Sequence, residues 1–198
     1  MGARDAIRRA ACLAGPLAAA LAWAVILAAW WLNRSWFVYT EDAFSDLGGP
    51  GSCCPGLYNY GLMAVAVLIA VFSLCVLSVE SSKLGVLGAG YFVLAAVFLA
   101  LIGVFPAGTR HHVCVSTWFF VQADIALAML AARVYRERRG LFWALALLAA
   151  VLAWPVAGLV EQVAGWPSAA VLETYGIVII DAVSLAVFAH YWGLVRTR

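Results

Sequence analysis

The sequence predicts an all-α polytopic membrane protein, a bundle of six transmembrane helices with a structured outer loop between the first two. Three observations carry this. Apolar residues fill 66% of the 198 positions and charged residues only 11%, against about 45–50% and about 25% in soluble domains. The 12 basic and 10 acidic residues are bunched, leaving uncharged stretches close to the ~20 residues that a bilayer helix needs. Period-two alternation is absent, which argues against a membrane barrel. With a mean hydropathy of +0.99, the chain has too little polar surface for a soluble enzyme, a nucleic-acid binder or a disordered regulator.

The spans read as 10–32, 59–79, 85–105, 113–134, 141–160 and 171–194. The first runs unbroken from Ala10 to Leu32, longer than the ~7–15 apolar residues of a cleaved signal peptide. Pro16 falls inside it and Pro155 inside the fifth, and each is expected to kink its helix. Gly15 with Ala19, and Gly85 with Ala89, place small residues four apart, which lets backbones approach in lipid. Six spans consume roughly two thirds of the chain. A single transmembrane domain over residues 1–198 is therefore expected.

Orientation follows from the basic residues. Placing the N-terminus inside collects Arg4, Arg8, Arg9, Lys83, Arg133, Arg136, Arg138, Arg139, Arg196 and Arg198 on one side and leaves Arg34 and Arg110 on the other. The expected setting is the plasma membrane, with both termini cytoplasmic. Trp30, Trp31, Trp36 and Trp166 then mark the outer interface, and Trp143, Tyr191 and Trp192 the inner one.

The longest connection, from about Asn33 to Tyr58, faces outward in this arrangement. Its Gly48-Gly49-Pro50-Gly51 run, followed by Pro55-Gly56, demands tight turns. Its aromatic first half, Trp36 to Tyr39, suits packing on the bundle. A compact cap over the outer mouth is expected, bearing Asp42, Ser45 and Asp46. His111 and His112 lie in the second outer connection, and Glu173 lies near the start of span six. Polar reactive groups thus gather outside.

After an aromatic stretch, Ser45-Asp46-Leu47-Gly48 is followed by Asn59 and Gly61 opening the next span. Gly103-Val104-Phe105-Pro106 then closes span three, with His111 or His112 shortly after. This pattern resembles an uncharacterised prokaryotic family of six-helix membrane proteins, domain of unknown function 998, over roughly residues 36–130. An acidic residue commonly follows the Phe-Pro in that family, where this chain has Ala107 and Gly108. The Ser-Asp-x-Gly element with Pro50 is also similar, remotely, to the Frag1/DRAM/Sfk1 membrane proteins. That resemblance implies a link to lipid remodelling and phospholipid organisation.

Several chemistries compete for these residues. Ser45, His111 or His112, and Asp42 or Asp46 supply the residue types of a nucleophile, base and orienter. Ser-Asp before Gly is equally what a tight turn or helix cap needs. His111, His112 and Cys114 approach Cys53-Cys54 in topology, but the usual Cys-x-x-Cys spacing is missing. A disulfide joining Cys114 to Cys53 or Cys54 is expected in preference to a metal, and no cofactor is implied. Cys12 and Cys75 read as packing thiols.

Asp124 and Asp181 lie at matching depth, roughly 15 Å below the outer surface at 1.5 Å per residue, with Gln122 and Ser184 as potential neighbours. Acids there should face the interior or a watery cavity. The leading expectation is a protein that binds or modifies membrane lipids in a polar outward cavity. A small channel or proton-coupled carrier using Asp124 and Asp181 is the first alternative. The second is a non-catalytic accessory subunit packed against other membrane chains.

Overall fold

The computed structural model describes residues 2–197; Arg198, counted above among the basic residues, lies outside them. Six helices follow in order: α1 (Ala3–Leu32), α2 (Pro55–Val79), α3 (Lys83–Val104), α4 (His112–Arg138), α5 (Leu141–Val163) and α6 (Ala169–Thr197). All six are long and apolar enough to cross a membrane. No strand occurs among the described residues. Each helix outruns its predicted apolar core at one or both ends, because helical hydrogen bonding continues past the hydrocarbon where charged side chains are tolerated.

Short links fold the helices antiparallel, so both termini lie at one end, where an Arg9 guanidinium nitrogen donates to the carbonyl of Arg196 at 3.4 Å. Helices α1, α2, α3, α4 and α6 close into a ring, each touching the next, while α5 rests outside it against α4 and α6. Apolar burial does not drive such contacts in lipid, so close fit must. Gly15 shows the fit: a Cβ there would lie 3.0 Å from the Phe72 ring of α2. Pro16 and Pro155 both lie within continuous helices.

The cysteines pair otherwise than the sequence suggested. Cys12 of α1 and Cys75 of α2 form a disulfide with Cα atoms 5.3 Å apart, inside the ordinary range of about 4.4–6.8 Å. Cys53, Cys54 and Cys114 are free and exposed. The expected link from Cys114 to the outer loop is absent because Cys114 points outward from α4. Cys12 and Cys75 are almost wholly buried on facing helix surfaces, an alignment that hydropathy does not encode. In denatured, unreduced protein, these two cysteines should resist alkylation and their peptides should be recovered linked. Recovery of either one alkylated would refute the pairing.

At the end carrying the termini, Glu80 lies between α2 and α3 with a side chain only 2% exposed. Its Oε1 accepts the backbone N–H groups of Ser81 (2.8 Å) and Ser82 (2.7 Å) and the Nε–H of Arg133 (3.3 Å). Its Oε2 accepts the Tyr191 hydroxyl at 2.6 Å. Burial alone would raise this carboxyl. The hydrogen bonds from Tyr191, Ser82 and Ser81 outweigh burial and hold it at about 2, below the ordinary 4.5. One ionised carboxylate thereby ties the α2–α3 turn to α4 and α6. Tyr191, expected at the interface, is fully buried by this bond, and His190 is buried beside it against Trp143.

The long connection at the opposite end forms the cap that its turn residues and aromatics imply. Phe37, Phe44 and Leu47 are buried, with the Phe37 and Phe44 rings stacked 6.1 Å apart. A 3-10 turn, Phe44–Gly48, crosses the mouth of the ring. Four bonds fasten the cap to α6 and its approach. Ser168 Oγ donates to the Tyr39 carbonyl (2.7 Å), and Ala170 N to that of Asp42 (3.0 Å). The Tyr39 hydroxyl donates to Thr174 Oγ1 (3.0 Å), and Phe44 N to Glu173 Oε2 (2.7 Å).

Candidate functional site

The ring leaves a cavity of about 90 Å³ on its axis, lined by all five ring helices and by the 3-10 turn. A second, larger cavity of about 330 Å³ lies between α4, α5 and α6. Val113, Thr117, Trp154 and Leu172 line the second cavity and are exposed, so it opens sideways toward the surroundings of the bundle. Ser45, His112, Ser116, Phe120 and Glu173 line both cavities and form their common wall. Gly176 makes the partition thin, because a Cβ there would lie 2.7 Å from Phe120 Cε1.

Local chemistry explains each polar group in the wall. Asp46 accepts the N–H of Ala43 at 2.9 Å and so holds the start of the 3-10 turn. That fixes Ser45 over the mouth, where its hydroxyl makes no hydrogen bond among the described residues. Asn59 Nδ2 donates to the Gly48 carbonyl at 2.9 Å and closes the turn onto α2. His112 is buried at the first turn of α4, with Nδ1 2.8 Å from the Phe105 carbonyl. A carbonyl only accepts, so Nδ1 carries a proton and, in that tautomer of the uncharged ring, Nε2 is the lone-pair nitrogen. Ser116 Oγ donates back to the His112 carbonyl at 2.9 Å. Glu173 receives the Phe44 N–H on one oxygen.

Ser45, His112 and Glu173, singled out from the sequence, are thus gathered into one wall. The others are placed elsewhere. Asp46 supports the turn from outside the cavities. His111 is exposed and packs edge-on against Phe105, with centroids 5.3 Å apart. Gln122 lines neither cavity, and its buried Oε1 has no partner among the described residues. Asp181 faces the axial cavity and accepts Trp23 Nε1–H at 2.8 Å. Asp124 faces the lateral cavity and makes no hydrogen bond among the described residues. The two acids, each twelve residues beyond the first residue of its helix, belong to different cavities.

Sequence reasoning missed α5 as a wall. Its Ala153, Trp154 and Ala157 line the lateral cavity, and side-chain donors from outside the helix bond its carbonyls there. Tyr175 donates to the Ala153 carbonyl at 3.0 Å, and Trp166 Nε1 to that of Ala157 at 3.1 Å. No Lys or Arg lines either cavity. The wall is rich in hydrogen-bond acceptors and poor in cations.

The fold and site define a six-helix integral membrane protein with a capped, laterally open cavity. The chain belongs to the DUF998 family, described as proteins of unknown function, whose model matches residues 16–190. Comparison with curated proteins and with solved structures gives no match.

Proposed function

We propose that this protein holds a membrane lipid in the lateral cavity, with the lipid head against Ser45, His112 and Glu173. The observation that carries this reading is one cavity, open to the side, that joins an acceptor-rich polar wall to an apolar cleft. Its lining on α4 extends from His112 to Asp124, about 18 Å along the helix, a length suited to an acyl chain. The absence of lining cations disfavours a phosphate head, which Arg or Lys would normally clamp. Acceptors favour a head that donates hydrogen bonds, so the fitting class is an uncharged lipid with free hydroxyls.

The charge bias supports a reading with the termini in the cytoplasm and the cap outside the plasma membrane; on that reading the lipid comes from the outer leaflet. Ser45 and the Nε2 lone pair of His112 supply a hydroxyl and a base beside its head.

Photoactivatable diacylglycerol and photoactivatable phosphatidic acid, each in nanodiscs with the protein, test the reading. Diacylglycerol should label α4–α6 peptides around Thr117, Ala157 and Leu172. Thr117→Trp, at the exposed rim, should reduce that labelling about tenfold without altering thermal stability. Equal labelling by both probes, insensitive to Thr117→Trp, would mean annular contact only and would remove the proposal.

A further inference from the structure

On the cap, away from both cavities, the adjacent thiols of Cys53 and Cys54 meet with their sulfurs 3.3 Å apart, Cys53 donating to Cys54. Both residues are exposed. The Cys53 backbone is anchored, since its N–H donates to Asn33 Oδ1 at 2.9 Å. Asn33 is itself buried, and its Nδ2 donates to the Ala29 carbonyl at 2.9 Å. Cys54 is the N-cap residue of α2, with Pro55 following. Backbone anchors on both sides therefore hold the two sulfurs together. Cys114, the other free cysteine, has no such neighbour.

We propose that Cys53 and Cys54 form a reversible dithiol/disulfide couple that exchanges with small-molecule disulfides. The Cys54 thiolate attacks one sulfur of the incoming disulfide. That S–S bond breaks, and the departing sulfur leaves with the bonding pair and takes up a proton. Cys53, deprotonated, then attacks the Cys54 sulfur of the mixed disulfide and expels the second small thiol, which is protonated in turn. Two protein thiols are oxidised to one disulfide while one small disulfide is reduced to two thiols, and the two protons pass to the products. The hydrogen bond to Cys54 is the main reason the Cys53 thiol lies above its ordinary range, so Cys53 is the thiol that waits for the second step.

Closure is readily reversed. Adjacent Cα atoms are about 3.8 Å apart, below the roughly 4.4–6.8 Å of unstrained disulfides, and bonds outside that range are more reducible. The pair is therefore a redox-responsive site, in contrast to the buried Cys12–Cys75 bond.

The test equilibrates the full-length protein in nanodiscs with reduced and oxidised glutathione at varied ratios, traps free thiols with N-ethylmaleimide, and maps the peptides. The expected result is a 53–54 peptide that passes from two maleimide adducts to none, losing two hydrogens and carrying no glutathione. The change should reverse when reduced glutathione is restored. In Cys53→Ser the ring cannot close, so Cys54 should accumulate as the glutathione mixed disulfide. A peptide that keeps two adducts under oxidising conditions, bears one glutathione on each sulfur, or links to a second chain would overturn the proposal.

Discussion

Replacing Glu80 with glutamine is expected to lower the thermal midpoint in detergent by roughly 6–12 °C, at about 2–4 °C per kcal/mol for a chain of this size. The Glu80 carboxyl lies at about 2 against an ordinary 4.5, and each pKa unit corresponds to about 1.36 kcal/mol. Because the side chain is almost fully buried, little of the resulting ~3 kcal/mol is screened. The amide removes the charge and points an N–H₂ group toward donors that need an acceptor.

The sign of the pH dependence follows. A carboxylate with a depressed folded-state pKa contributes fully above about pH 4.5 and loses its contribution as pH falls toward 2. The gap between wild type and Glu80→Gln should therefore be widest near neutrality and shrink through that acidic window. A gap that stays constant from pH 7 to the acid limit would remove the electrostatic explanation. Tyr191→Phe, which deletes one donor and keeps the charge, should have a smaller effect.

The second large effect is expected from Gly103→Ala. A Cβ at Gly103 would lie 2.5 Å from the Asn59 backbone oxygen, and the backbone of one helix moves only with the helix. The variant must separate α2 from α3 near the cap, at a cost of about 1–3 kcal/mol. The gain of about 1 kcal/mol in helix propensity offsets part of this. Asn59 also carries the bond to Gly48, so the shift should loosen the 3-10 turn and disperse Ser45 from His112. Lipid labelling should fall together with stability. Gly51→Ala is the matched control, because a Cβ there meets nothing within 4 Å and both readouts should stay at wild-type values. Wild-type labelling and stability in Gly103→Ala would show that the packing of the motif does not hold the site.

These glycines explain how much was legible in the chain. Span number, approximate ends and the existence of the cap follow from hydropathy and turn chemistry, which act locally. The Ser-Asp-Leu-Gly, Asn and Gly-Val-Phe-Pro elements were visible as a pattern, and the structure supplies their shared purpose. Asp46 starts the turn, Gly48 and Gly103 make room for Asn59, and Phe105 orients His112. Position along each helix was readable as well, since Asp124 and Asp181 each lie twelve residues beyond the first residue of their helices. Azimuth was not. The pairing of Cys12 with Cys75, and the separation of Asp124 from Asp181 into different cavities, depend on which way each helix is turned about its own axis. Packing decides that, and no short window of sequence records it. The Glu80 cluster was missed for a related reason. An acid in the short turn between two spans was an available signal, but its side-chain partners come from α4 and α6, 53 and 111 positions away.

Helix α5 stands outside the closed ring and completes only the lateral chamber. Its inner surface can therefore be re-bored by substitution, as at Ala153 or Ala157, without disturbing the five-rod hoop. The width of that chamber can thus be tuned from one outlying strut while the frame is kept.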